Sequence, residues 1–79
     1  MPAQTKPTVA TLERLFAEVE EWFERYQEVR QKLSGVEPGG EAYLDLLPEL
    51  EVQLDVLRSK AEQAHEALEV FEDSLPDGD

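Results

Sequence analysis

The sequence predicts an all-α fold: an antiparallel two-helix hairpin that dimerises into a four-helix bundle or coiled coil. Three observations carry that expectation. Two long segments repeat apolar residues in alternating steps of three and four, which keeps those residues on one face of a helix. A short stretch bearing glycine and proline separates them, and so short a connection makes the flanking helices antiparallel neighbours. The apolar face of the first segment is three residues per heptad wide. That width suits a helix touching two neighbours better than one in a two-stranded coil.

Residues 1–7 hold Pro2 and Pro7 without an apolar pattern and read as a flexible N-terminal tail. Thr8 suits an N-cap, because its hydroxyl can accept from a free amide of the first helical turn. Helix 1 is expected over about 8–34. Its seam runs Val9, Leu12, Phe16, Val19, Phe23, Tyr26, Arg30 and Leu33, with Arg30 its one polar member. Leu15, Trp22 and Val29 form a second row beside it. Ser34-Gly35 ends the helix, since glycine there can take the left-handed conformation that closes a helix. Residues 35–40 form the loop, where Pro38, Gly39 and Gly40 bar helix continuation.

Helix 2 is expected over about 41–75. Its seam is apolar throughout: Tyr43, Leu47, Leu50, Leu54, Leu57, Ala61, Ala64, Leu68, Phe71 and Leu75. Pro48 lies inside it, and its ring crowds the carbonyl of Leu44. Either Asp45 caps a helix starting there, or a longer helix is distorted. The seam stays in phase across Pro48, which favours a start near Glu41. Residues 76–79 are an acidic tail.

The helices should be about 40 Å and about 50 Å long. Across the hairpin, facing residue numbers should add to about 75, as the loop position dictates. Ala61 and Ala64 then meet Phe16 and Leu12, small against large, as interdigitated packing requires. Arg30 meets Asp45, with Glu49 one turn on, a pairing able to set the register. Phe71 and Leu75 overshoot helix 1 and need the N-terminal tail or another chain to cover them.

With 79 residues the chain has room for one small domain, whose own core is marginal. Cysteine is absent, which excludes disulfides and thiolate metal sites and leaves a partner chain as the natural staple. Nineteen acidic residues against seven basic ones give a net charge of -12. Nucleic acid and anionic lipid repel such a chain, whereas a basic protein surface attracts it. An apolar content of 41% is too high for a chain that stays disordered. No apolar run approaches the ~20 residues of a membrane span, and no secretory signal opens the sequence. A soluble, cytoplasmic protein is expected, with no direct nucleic-acid or membrane contact.

The interface of the expected bundle comprises Leu15, Phe16, Val19, Trp22, Phe23, Tyr26 and Val29 from helix 1, with Leu54, Leu57, Ala61, Leu68 and Phe71 from helix 2. Trp22, Phe23 and Tyr26 are its densest aromatic cluster, of the kind enriched in interface hot spots; in a bundle of several chains, hot spot and core are one. Val52, Val56 and Val70 lie off the seam, either as a second contact surface or as scattered surface valines. No Lys or Arg follows Lys60. Glu62, Glu66, Glu69, Glu72 and Asp73 form an acidic surface there, and acids near a helix C-terminus oppose its dipole. That surface serves either a basic partner or solubility.

Glu62-Gln-Ala-His65 has the Glu-x-x-His spacing of di-iron bundles. Both residues flank the seam, however, and no seam position of helix 1 is a glutamate, so a solvated helix surface accounts for them. No cofactor or metal is expected. Carboxylates abound, but a two-helix hairpin offers no pocket to shift their pKa, and no nucleophile–base motif or phosphate loop is present. The chain is not expected to be an enzyme. The leading reading is a non-catalytic protein-protein interaction module or small subunit. The alternatives are an acidic, nucleic-acid-mimicking inhibitor of a basic nucleic-acid-binding protein, and a metal-binding helical bundle.

The turn Ser34-Gly35-Val36-Glu37-Pro38, between two helices in a short acidic chain, is similar to the layout of the exonuclease VII small subunit. The shared motif covers these five residues. The resemblance implies a two-helix, non-catalytic subunit.

Overall fold

The computed structural model describes residues 7–75. Two helices, α1 (Val9–Ser34) and α2 (Glu41–Ser74), pack against each other, and there is no strand among the described residues. The expected tails, 1–7 and 76–79, lie outside the described residues except for Pro7.

α1 starts where its sequence provides a cap. Thr8 has extended backbone, and its Oγ1 accepts from the Thr11 amide at 3.1 Å, which satisfies one of the free donors of the first turn. At the other end the left-handed closure expected of Gly35 does not occur: its φ is -92°. The helix instead tightens into three-residue turns, with the Gly35 amide donating to Lys32 and the Val36 amide to Leu33. Such turns occupy the last carbonyls without a left-handed residue. The left-handed position is Gly39, at φ 82°. The Gly40 amide donates back to the Glu37 carbonyl at 3.0 Å. Pro38 then Gly39 is the order a type II turn demands, proline for its fixed φ and glycine for the positive one.

α2 runs unbroken through Pro48. Asp45 is not its cap; the Leu44 amide already donates to Gly40. Pro48 sits in the second turn, so the Leu44 carbonyl loses its usual partner. That loss is tolerable because Pro48 and Leu44 are both exposed, within reach of water.

The helices meet along seams turned by one row from those expected. Helical repetition makes rows of residues seven apart. In α1 the row Leu12, Val19, Tyr26, Leu33 faces α2, as expected. Its companion is Leu15, Trp22, Val29: Val29 is 5% exposed, and Leu15 and Trp22 are half-buried. The row Val9, Phe16, Phe23, Arg30 is turned outward, with Phe23 at 45% exposure and Arg30 exposed. The reason is chemical: the inner seam so chosen is wholly apolar, whereas the other would bury Arg30. In α2 the row Tyr43, Leu50, Leu57, Ala64, Phe71 faces α1, with Leu46, Gln53, Lys60 and Ala67 as the second inner row. The leucine row with Leu54 and Ala61 lies outward.

This rotation removes the expected contact of Arg30 with Asp45 and Glu49; neither acid pairs with it among the described residues. The cross-hairpin ion pair is Lys60 to Glu18, with Nζ donating to Oε1 at 3.2 Å and each side chain about 30% exposed or less. In the expected register Glu18 would face Leu57; Lys60 lies one turn further on. Gln53, also in the inner seam, has a buried Oε1 without a hydrogen-bond donor. An unpartnered buried carbonyl costs about 1–3 kcal/mol.

Two stability outcomes follow from these features. Gln53→Leu removes the orphan carbonyl from an otherwise apolar contact and should stabilise the fold by about 1 kcal/mol, measured by urea denaturation. Pro48→Ala returns an amide donor to the Leu44 carbonyl and should stabilise it by about 1–3 kcal/mol. A lower urea midpoint for Pro48→Ala would mean that α2 needs the bend.

Candidate interaction surface

The rotation gives the hairpin two unlike sides. On one, the outward row of α1 (Val9, Phe16, Phe23, Arg30) lies beside the outward row of α2 (Leu47, Leu54, Ala61, Leu68). Phe16 and Val19 with Ala61, Ala64 and Leu68 line one open apolar groove, edged by Glu20 and His65. Phe23 and Leu54 stand exposed at 45% and 46%. Phe23 stacks on Tyr26 of the inner seam, with ring centroids 6.0 Å apart, so its ring is held in place by the hairpin's own packing.

The opposite side is polar. Val29 is reached there through a groove lined by Glu21, Glu24, Arg25, Glu28, Lys32, Glu49 and Gln53. The Arg25 guanidinium lies 4.4 Å from the Trp22 ring centroid and also bonds Glu21. It thus covers the half-buried indole with charge, a contact worth about 0.5–1 kcal/mol at such a site. Lys60 reaches Glu18 on this same side. The polar members of the inner seam of α2 therefore adjoin the hydrated face, and the apolar overflow is gathered on the other.

The residues expected at one interface divide accordingly. Leu15, Val19, Trp22, Tyr26, Val29, Leu57 and Phe71 belong to rows that face the other helix. Phe16, Phe23, Leu54, Ala61 and Leu68 form the uncovered apolar side. Sequence reasoning missed Leu46, Gln53, Lys60 and Ala67 as inner residues. The signal was there in Arg30: a lone polar residue in an apolar row marks that row as the outer one.

The valines off the seam do not share one patch. Val56 is half-buried at the polar side, whereas Val52 and Val70 are exposed on different rows. Glu62, Glu66, Glu69, Glu72 and Asp73 are all exposed, and no basic residue occupies the last turn of α2. His65, exposed, lies 3.9 Å from Glu69. No cluster of three potential metal ligands occurs among the described residues. No helix among them is long and apolar enough to cross a membrane. No protein-family model, curated protein or solved structure matches the chain. The likeness to the exonuclease VII small subunit thus stays with the five-residue turn.

Proposed function

We propose that this chain is a non-catalytic protein-protein interaction module, working as a homodimer in which the apolar sides of two hairpins close a four-helix bundle. The observation that carries this reading is the one-sidedness of the hairpin. Phe23 and Leu54 are exposed on one side, while the other side is lined by charged groups. Only four residues, Leu12, Val29, Leu33 and Ala64, are buried in the hairpin itself among those described. Domains are built of packed layers, and a single two-helix layer leaves its second face uncovered. The overlap of the two helices is about 40 Å long and about 18 Å across for axes 8–10 Å apart. That footprint, about 700 Å², approaches the ~800 Å² per partner of a stable interface.

A second surface is available for a basic protein. The exposed acids of the last turns of α2 have no basic neighbour beyond Lys60 in sequence, and that placement costs helix stability. A nucleic-acid-mimicking inhibitor would use such a surface.

The dimer reading is tested by Leu54→Ser and Phe23→Ser. Each should weaken self-association at least about tenfold in sedimentation equilibrium, from the apolar burial lost twice over in a symmetric dimer. Val52→Ser, on the outer face, should leave it unchanged. A wild-type chain that stays monomeric at high micromolar concentration would remove the proposal. For the acidic surface, captured basic proteins should elute as salt rises through about 0.5 M, where exposed charge pairs are screened; salt-resistant capture would count against it.

A further inference from the structure

The apolar side has two unlike ends. Toward the loop, the α1 row closes on Arg30, which is exposed and has no carboxylate within ion-pair distance among the described residues. Toward the open end, the side is rimmed by carboxylates. Helical spacing puts Glu13 and Glu20 beside the Phe16 row and Glu72 beside the Leu68 row, and all three are exposed. We infer that the covering partner is a second copy lying antiparallel to the first, with the two loops at opposite ends and Arg30 of each copy set against the open-end carboxylates of the other. This rests on the dimer reading above and specifies its geometry.

Charge decides between the two ways of closing the bundle. With both loops at one end, the open ends coincide. Glu13, Glu20 and Glu72 of each copy then crowd together, and the two Arg30 side chains lie at the same level. Like charges facing each other across an interface are strongly disfavoured, and more so once water is excluded. With loops at opposite ends each carboxylate rim meets an arginine. Arg30 lies roughly 13 Å loopward of the α1 midpoint, so a two-fold axis through that midpoint sets it level with Glu13 of the second copy. The one feature favouring coincident ends is Leu75, half exposed where α2 outruns α1; it is a single side chain against three carboxylates per copy.

The chain has no cysteine, so single-cysteine variants carry one spin label each. Pulsed dipolar spectroscopy on the full chain separates the outcomes. Ser59→Cys, exposed near the middle of α2, should give a dipolar signal at about 20–30 Å in either orientation, the width of a bundle. Its absence would remove the dimer itself. Glu37→Cys, in the exposed loop, should give about 50 Å, the length of α2. A distance of about 20 Å for Glu37→Cys, with the Ser59→Cys signal present, would leave the dimer standing and overturn the orientation. Arg30→Glu should weaken the dimer about tenfold at low salt and less at high salt. An unchanged dissociation constant would remove the Arg30 contact.

Discussion

Two helices in one layer can cover only two rows of side chains on each. α1 carries three rows that are apolar or nearly so, and α2 carries two apolar rows and one mixed one. One row of each must therefore remain outside. Which row that is decides the rest: the wholly apolar seam of Leu12, Leu15, Val19, Trp22, Tyr26, Val29 and Leu33 turns inward, and the row that ends in Arg30 turns out. The outward rows of the two helices fall on the same side of the hairpin, where Phe16 meets Ala61 and Leu68. A side for binding thus arises from the arithmetic of helical rows and needs no pocket.

The same rotation explains the polar residues of the hairpin's interior. Lys60 and Gln53 lie in the inner seam of α2 yet next to the polar side. The ammonium of Lys60 reaches Glu18 at the edge, as a long aliphatic stem allows. Gln53 does less well, with its Oε1 buried and unpartnered. Together with Pro48 in the second turn of α2, it makes the hairpin's own packing less than optimal. A chain this small, without disulfides, has little stability to spare. Covering Phe23 and Leu54 would supply apolar burial that the isolated hairpin lacks.

The charges follow the same division. Arg25 and Lys32 stand on the polar side, Arg25 over Trp22, and Lys60 joins Glu18 there. The net charge of -12 is therefore not spread evenly. It gathers on the back of α2 and around the open end, where no basic residue follows Lys60. Acids at a helix C-terminus work against the helix, so their number there reflects a demand from outside the helix, whether solubility or a partner.

By itself the sequence determined the two helices, the turn and the Thr8 cap. These depend on local causes: helical periodicity, a hydroxyl before the first turn, and Pro38-Gly39 in the order a type II turn requires. It also showed that more apolar surface exists than one hairpin can cover. Tertiary structure alone decided which rows face inward, because two overlapping seams share the rows of Leu12 and Ala64, and period alone cannot choose between them. It decided the ion pair of Lys60 with Glu18 in place of one from Arg30. It also decided that Gly39, and not Gly35, takes the left-handed conformation, because the end of α1 closes through short turns to Lys32 and Leu33. Local pattern sets the elements; their rotation about their own axes is set by how two surfaces of different chemistry fit against each other.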